Sequence, residues 1–314
     1  MKVHYGIEDL PTFKNAALTI GTFDGVHAGH LKIINQVKKQ AMKDKGESVI
    51  ITFDPHPRLV IADKVTPSVN KIALLNTLEE KIELIEKQGI DHLVVIPFTH
   101  KFSEQTAEEY ILFFLVDKFH PKTIITGYDH HFGKDRRGNY HLLEAFADKC
   151  DFRVIEIPPH VLKKVAISST MIRQALLETD VKVANEYLGY DYFMEGKVIE
   201  GDKKGRTIGY PTANIRITDA AKLVPADGVY IVAVEWKKKQ LQGMMNIGFR
   251  PTVGHSHLIE VNIFDFDEEI YGDIIKVTFK RFLRKERKFK GLDQLKKQLS
   301  SDERASRNFF SQEE

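Results

Sequence analysis

Short apolar runs alternate with helix-like patterns through the first half of the chain. The runs contain few polar positions, which is typical of strands in a sheet covered on both faces. Between them, apolar residues recur three and four positions apart, as in amphipathic helices. This alternation predicts a doubly wound α/β domain, a parallel sheet with helices on both sides. The predicted strands are 16–20, 48–53, 93–97, 123–126 and 152–157, and the predicted helices are 29–45, 77–89, 106–119 and 140–149.

The second half of the chain changes to short alternating runs bounded by Gly, Asp and Asn. Several strands at this spacing predict a small antiparallel β-barrel. A helical pattern over 292–310 predicts a C-terminal helix that covers one side or one end of it. The change lies near Tyr187, so we predict two domains, 1–186 and 187–314. The predicted strands are 193–200, 213–217, 229–236, 240–247, 258–266 and 274–281.

Composition narrows the class of protein. The 314 residues are enough for two ordinary domains. A formal net charge of +2 is too near neutral to favour nucleic acid or a membrane surface as a partner. The single cysteine, Cys150, excludes an internal disulfide and suits a reducing cytosol. With neither a signal-peptide pattern nor an apolar run of about 20 residues, we expect a cytoplasmic protein with small-molecule partners. The oligomeric state stays open, and a homo-oligomer is compatible with the sequence.

The first predicted strand leads into its helix through the sequence GTFDGVHAGH, residues 21–30. The free amides and the dipole of a helix N-terminus favour an anion there, and glycines let a phosphate approach the backbone. His27 and His30 are spaced so that both can point at that anion. Alone, such a pair also fits an ordinary tight turn. The whole stretch resembles the H-x-G-H signature of nucleotidyltransferases that bind ATP, and we assign its residues to that site. The assignments are His27 and His30 to catalysis, and Gly21, Thr22 and Phe23 to ATP.

Two other loops follow predicted strands, and ligands bind beyond strand ends in such sheets. Residues 52–58, TFDPHPR, have prolines that favour an extended, rigid backbone. Residues 127–138, GYDHHFGKDRRG, combine glycines, rings and cations, which suits a flat ring system that carries a phosphate. His130 and His131 are adjacent, so we expect their side chains to diverge and to be exposed rather than to ligate a metal.

The sequence ISSTMIR, residues 167–173, groups hydroxyls at the start of a predicted helix. Ser169 or Thr170 would suffice as an N-cap. Three hydroxyls and an arginine one turn into the helix exceed what a cap requires, and they favour a triphosphate site. The residues assigned to that site are Ser168, Ser169, Thr170 and Arg173.

In the second half, GDKKGR at 201–206 predicts a polar glycine loop that can approach phosphates. Thr212 and Asn214 follow it and point the same way on a strand, where their oxygens suit magnesium. Each also fits the polar outer face of a strand. Glu260 is either a solvent-facing carboxylate or a base that takes a proton from a hydroxyl. The basic run at 280–290 is read as a solvated face.

Taken together, these stretches resemble the bacterial bifunctional riboflavin kinase/FAD synthetase family over nearly the whole chain. Eight motifs carry the resemblance, in family order. They are GTFDGVHAGH, TFDPHP, GYDHHFGKDRRG, ISSTMIR, GDKKGRTIGYPTANI, DGVY, NIGFRPT and IEVNIFDF. One departure is that many members have another residue at Tyr128 or His130.

The resemblance implies two ATP-dependent steps, riboflavin to FMN in the second half and FMN to FAD with release of pyrophosphate in the first. It implies Mg²⁺ as cofactor, and ATP, riboflavin, FMN and FAD as substrates and products. The implied roles are metal and phosphate binding for Thr212 and Asn214, phosphate binding for Gly201, Lys203 and Gly205, base for Glu260, and flavin binding for Asp129 and Phe132.

Two other functions stay open at this point. In the first alternative, adenylyl transfer is the single activity and the barrel is a flavin-binding or regulatory module. An RNA-binding protein is the other alternative, because H-x-G-H domains also occur in aminoacyl-tRNA synthetases and small barrels bind oligonucleotides. The near-neutral charge weighs against RNA.

Overall fold

The computed structural model describes residues 1–65, 72–158, 167–201, 204–249 and 257–312. It divides into two compact units, Met1–Ser169 and Thr170–Glu314, and each is described by itself.

The first unit is built on a six-stranded parallel sheet with the strand order β1-β4-β3-β2-β5-β6. Each predicted strand of this half is present, with bounds shifted by at most a residue. The structure adds β1 at the edge, a strand of four residues that is too short for its alternation to stand out in the sequence. The strands are β1 Lys2–Tyr5, β2 Ala17–Ile20, β3 Ser48–Asp54, β4 His92–Pro97, β5 Thr123–Gly127 and β6 Arg153–Ile157.

Helices cover both faces of this sheet, which confirms the doubly wound prediction. Ala17 packs with Val37 and Ala41 of helix α1 on one face. Its neighbour Leu18 points to the other face, into a cluster with Ile111 and Leu143. The helices are α1 Ala28–Lys43, α2 Pro57–Val65, α3 Leu78–Glu86, α4 His100–Ser103, α5 Ala107–Glu109, α6 Asp117–Phe119 and α7 Tyr140–Ala147, with a π-helix at Tyr110–Val116 and a 3-10 turn at Lys134–Arg136.

Local signals fix most of these helices, and two details differ from the prediction. Both predicted capping boxes form, at Thr77 and Thr106. The helix that Thr106 begins runs through a π-helical stretch before it ends at Phe119, whereas the sequence pattern predicted one regular helix. The expectation of an extended backbone through 52–58 is wrong at its end, because Pro57 begins α2. Proline is favoured at the first helical position, where its missing N–H costs nothing.

The second unit is a closed antiparallel barrel with the strand order β10-β11-β8-β7-β12-β9, as predicted. Inward-facing Val232, Val261 and Val277 are each at most 1% exposed. The strands are β7 Phe193–Ile199, β8 Ala213–Arg216, β9 Gly228–Trp236, β10 Lys239–Phe249, β11 His257–Ile263 and β12 Ile274–Arg284, and the helices of this half are α8 Ser169–Leu177, α9 Val181–Leu188, α10 Lys204–Thr207 and α11 Leu292–Phe310.

The predicted domain boundary at 186/187 lies inside α9. Helix α9 contacts β12, and Asn185 on it donates to the Phe279 carbonyl at 3.0 Å, so this helix packs with the barrel. The boundary of the two catalytic modules stays a prediction. No helix within the described ranges is both long and apolar enough to cross a membrane.

Candidate functional sites

The sharp turn from β2 into α1 makes His27 the N-cap of that helix. Its Nδ1 accepts a hydrogen bond from the His30 backbone N–H at 3.4 Å. The sequence placed the histidines at this junction but did not predict that one of them would cap the helix. The cap leaves the Ala28 and Gly29 amides, which have no partner inside the helix, at the positive end of its dipole. The junction therefore offers N–H donors to an anion.

The two imidazoles lie together, as predicted. Their ring centroids are 3.7 Å apart and the rings are stacked. Burial lowers the pKa of His27 to about 4, and burial with the neighbouring His27 and Lys81 lowers the pKa of His30 well below its usual value. Both rings are thus neutral near pH 7. Because Nδ1 of neutral His27 is an acceptor, its proton is on Nε2, which is then a donor.

The loop between strand and helix is held in an unusual backbone conformation. Phe23, Gly25 and Val26 all have positive φ angles, of 47°, 88° and 35°. A Cβ on Gly21 would lie 3.1 Å from the ring of Phe23, which is 2% exposed and packs edge-on against His30. The Phe23 ring therefore supports His30 from the interior, and only the backbone of Phe23 is suited to face a ligand.

A glycine also shapes the first turn of α1. A Cβ on Gly29 would lie 3.1 Å from the His27 ring. Gly29 thus leaves room for this imidazole beside the helix, a more specific purpose than the general approach of a phosphate that we predicted.

The 167–173 stretch contacts this loop through Ser169, whose hydroxyl donates to the Asp24 carbonyl at 2.8 Å. Helix α8 begins at Ser169, so the cap position is Ser168, one residue before those we expected. Ser168 and Thr170 are exposed, and Arg173 is half-buried in the second turn of the helix. Thr170 and Arg173 belong to the second compact unit.

The 127–138 loop is only partly a surface loop. Phe132 is 6% exposed and its ring stacks on Tyr110 at 5.0 Å. Asp129 is exposed. His130 is half-buried, and its pKa is lowered to about 4 by burial, whereas His131 is exposed. The expected divergence of the two histidines is confirmed, but the expected exposure of His130 is wrong, because its ring stacks on Phe132.

A group that the sequence did not single out lies beneath the histidine turn. Lys81 on α3 is 6% exposed, and its ammonium donates to Thr52 Oγ1 at 3.4 Å. Thr52 in turn donates to the Thr22 carbonyl at 3.2 Å. Helix periodicity would have flagged Lys81, which falls one turn before the buried Ile85.

The barrel brings together most residues of the second predicted site. A Cβ on Gly201 would lie 2.6 Å from Asn214 Cγ, and a Cβ on Gly205 would lie 3.7 Å from Thr212 Oγ1. Gly201 therefore approaches Asn214 closely, whereas Gly205 is required by the Tyr210 carbonyl, which a Cβ there would overlap, and is only in ordinary contact distance of Thr212. We predicted an irregular loop over 201–206, but helix α10 begins within it at Lys204. Lys203 lies outside the described residues.

Glu260 lies in a polar row across three strands. The register sets Glu260 of β11 opposite Asn214 of β8 on one side and opposite Asn246 of β10 on the other. Residues directly opposite each other point to the same face of a sheet. Asn246 donates to Glu286 at 3.1 Å. The carboxylate of Glu260 thus has an amide side chain on each flank, on the same face as the predicted metal ligand Asn214.

Two further contacts fix the strand entry that carries Thr212. Asn262 donates to the Pro211 carbonyl at 2.7 Å, and Tyr210 donates to Glu303 of α11 at 3.2 Å. The C-terminal helix is therefore tied to the segment just before Thr212.

The oxygens of Thr212 and Asn214 fit a magnesium ion by chemical type, since Mg²⁺ prefers oxygen ligands and keeps several waters and phosphate oxygens. The glycines beside them leave space that a Cβ would fill. No cluster of three or more His, Cys, Asp or Glu that would bind a metal occurs in the described part of the chain. The fit therefore depends on the hydroxyl and the amide rather than on a protein cage.

The first unit is a parallel sheet with paired histidines at a helix N-terminus, and the second is a barrel with a carboxylate beside hydroxyl and amide side chains. These features are typical of a two-module transferase that uses nucleotides. The family model described as FAD synthetase matches residues 10–171, and the one described as riboflavin kinase matches residues 188–310. The chain belongs to the bifunctional riboflavin kinase/FMN adenylyltransferase family.

Curated relatives of that description match along nearly their full length. The protein of Listeria monocytogenes is 38% identical over 94% of this chain and 93% of its own. The protein of Escherichia coli is 34% identical over 99% of this chain and 98% of its own. A crystal structure described as a macrolide-efflux protein from Streptococcus pneumoniae is 31% identical, with a TM-score of 0.85 over 98% of this chain and 99% of that one.

Proposed function

We propose that the chain makes FMN and then FAD, each step with its own molecule of ATP and its own site. The observation that carries this proposal is that each compact unit contains a separate set of groups suited to phosphates. One set is the α1 N-terminus with His27 and His30. The other is the polar row of the barrel with its close glycines.

In the barrel, Glu260 would take the proton from the terminal ribityl hydroxyl of riboflavin. The hydroxyl oxygen then bonds to the γ-phosphorus, the bond from that phosphorus to the β-phosphate oxygen breaks, and ADP leaves. Asn214 and Asn246 flank Glu260 on the neighbouring strands. Gly201, Lys203 and Gly205 would lie over the phosphates. Positioning and charge neutralisation provide most of the catalysis in such transfers.

Thr212 and Asn214 would hold Mg²⁺ in this site. When bound, the ion neutralises charge on the phosphates.

In the parallel-sheet unit, a phosphate oxygen of FMN would attack the α-phosphorus of ATP, and pyrophosphate would leave. His27 donates from Nε2 as a neutral ring, and the Ala28 and Gly29 amides add donors at the positive helix end. His30, held against Phe23, would act beside it. Donors fixed before the reaction stabilise the charge that develops in the transition state. The ATP contacts we propose are Gly21, Thr22 and Phe23, and the pyrophosphate contacts are Ser168, Ser169, Thr170 and Arg173.

We assign the flavin side of this module to Asp129 and Phe132. Asp129 is exposed, and Phe132 lies in the aromatic cluster with Tyr110. Because Phe132 is 6% exposed, it would support the flavin side from beneath, and Asp129 would face the flavin.

We propose residues 1–186 and 187–314 as the two modules, with small molecules as the partners in a cytoplasmic setting where Cys150 stays reduced. Nucleic acid and membranes are not among the proposed partners, and a homo-oligomer is compatible with the proposal. Salt-dependent retention on RNA, or recovery of the protein with membranes after cell fractionation, would contradict this assignment.

A chromatographic time course with purified protein, riboflavin and MgATP tests the function. We expect FMN to appear first and FAD to follow, with ADP and pyrophosphate as the other products. FMN that accumulates without FAD, under all nucleotide and flavin-reduction conditions, would remove the role of the first module. If the protein makes FAD from added FMN but makes no FMN from riboflavin, the proposed role of the barrel as a kinase is wrong.

A further inference from the structure

Lys81 is a buried lysine whose charge is poorly compensated by its immediate neighbours. Its ammonium has three donors, and its hydrogen bond among the described residues goes to the neutral hydroxyl of Thr52 at a long 3.4 Å. No ion pair in the described part of the chain includes it. A buried charge is costly unless it is paired or hydrogen-bonded. The long hydrogen bond from Lys81 to Thr52 does not offset that cost.

A second buried lysine shows what full compensation looks like in this protein. Lys222 in the other unit is 5% exposed, and it donates to the Phe193 carbonyl at 2.8 Å. Its ammonium also lies 4.6 Å from the ring centre of Tyr192. A carbonyl and an aromatic face are structural partners for a cation. Lys81 has neither among its described contacts.

Lys81 is connected through hydrogen bonds to the turn that contains His27 and His30. Its partner Thr52 is bonded to the Thr22 carbonyl in the loop before α1. The charge of Lys81 is felt by His30, whose pKa it helps to lower. His30 Nδ1 is itself buried and has no hydrogen-bond partner among the described residues. A cation with unused donors and a ring with an unused nitrogen thus face the same junction.

Two carboxylates also act on Lys81, those of Asp24 and Asp54. Asp24 is 3% exposed and accepts from the Leu75 N–H at 2.8 Å. A purely structural role for Lys81 would be to balance Asp24. If that were its role, removal of both charges together would restore FAD formation.

We propose that Lys81 supplies the buried positive charge of the N-terminal triphosphate site, acting on the phosphates of ATP together with His30 from beneath the α1 N-terminus. The ligand class is a nucleoside triphosphate or its pyrophosphate product. The proposal rests on the proposed function of this module in adenylyl transfer.

The test measures FMN-to-FAD conversion, riboflavin phosphorylation and ligand binding in the full-length chain. Lys81→Met keeps the length of the side chain and removes its charge. We expect kcat/KM for ATP in FAD formation to fall by about 10²-fold, the cost of one fixed donor in such a site, with riboflavin phosphorylation within twofold of wild type. Binding of a non-hydrolysable ATP analogue to this module should weaken at least tenfold, while FMN binding stays within twofold. The matched control is Lys87→Met at the exposed end of α3, where Lys87 forms an ion pair with Glu83.

The double variant Asp24→Asn/Lys81→Met separates the two roles and covers the case in which the single variant fails to fold. It removes the buried charge pair while Asn retains an oxygen for the Leu75 N–H. If the charge of Lys81 acts on the phosphates, the double variant should fold and should remain defective in FAD formation. Restored FAD formation would overturn the proposal, as would Lys81→Met activity within threefold of wild type. If the wild-type chain itself makes no FAD from FMN, the proposed function fails instead.

Discussion

The two units handle the same cosubstrate with different structural elements. In the site that we propose for the parallel-sheet unit, the donors are backbone amides and neutral imidazoles at a helix start, where the His27 side chain is buried. In the barrel they are side chains on neighbouring strands, held in line by register and by glycines that allow close approach. A helix terminus offers its dipole to an anion, whereas strands offer a row of side chains at fixed spacing. Each proposed site therefore depends on a different feature of its fold, so a substitution in one should leave the other active.

We expect Glu260→Gln to produce the largest difference between the rates of the two reactions. Removal of the proposed base should lower FMN formation about 10³-fold, because no other carboxylate is proposed for that step. FMN-to-FAD conversion should stay within twofold, since it uses the other unit. The two rates are measured separately, with riboflavin or FMN as the starting flavin. Glu235→Gln, an exposed carboxylate on β9, is the matched control, and equal losses in both rates for Glu260→Gln would contradict the division of labour.

The reciprocal change is His27→Asn. Asparagine is a good N-cap, so the helix start is retained while the imidazole is lost. FAD formation from FMN should fall about 10²-fold, and riboflavin phosphorylation should be unchanged. His141→Asn on α7 is the control, because that side chain is 86% exposed. Unaltered FAD formation in His27→Asn would show that the helix cap is the whole function of this histidine.

Acid should destabilise the parallel-sheet unit in particular. Burial lowers the pKa of His27 from 6.5 to about 4 in the folded protein. Between these values the unfolded chain binds a proton that the folded chain does not, so stability is full above about pH 6.5 and is lost as the pH falls. For His27 alone the loss at pH 5 is about 2 kcal/mol. The described side chains of the barrel unit include no histidine.

Trp236 in the barrel is the single tryptophan of the sequence, so its fluorescence follows that unit. The circular-dichroism signal of the helices includes both units, so denaturant unfolding at pH 7 and pH 5 should move it more than the fluorescence transition, which follows the barrel alone. Equal shifts for both signals would contradict the assignment of the acid-sensitive groups.

The smallest effect concerns the glycines of the barrel site. Gly201→Ala would bring a Cβ to 2.6 Å from Asn214 Cγ, so the amide must shift. We expect roughly a tenfold loss in FMN formation and a higher Mg²⁺ requirement, on the scale of a displaced metal ligand or of its supporting contacts. Gly291→Ala is the control, because nothing lies within 4 Å of its built Cβ. An unchanged Mg²⁺ dependence in Gly201→Ala would argue against Asn214 as a ligand.

The sequence predicted those features of the fold that depend on residues close together in the chain. Capping boxes at Thr77 and Thr106, the histidines beside a strand end and the alternation of the barrel strands all act over a few residues. The signals that failed depend on distant partners or on competing local preferences. Lys81 becomes notable only when α3 is packed over Thr52, 29 residues away in sequence. Hydrophobic periodicity does not distinguish an extended proline from one that begins a helix, as Pro57 does, nor an α-helix from the π-helix at 110–116.

The central claim is that one chain contains two independent sites for a nucleoside triphosphate. Calorimetric titration of the wild-type chain with a non-hydrolysable ATP analogue, at saturating Mg²⁺ and flavin, tests it most directly. We expect two bound analogues per chain. A single bound analogue in the wild-type chain would contradict it.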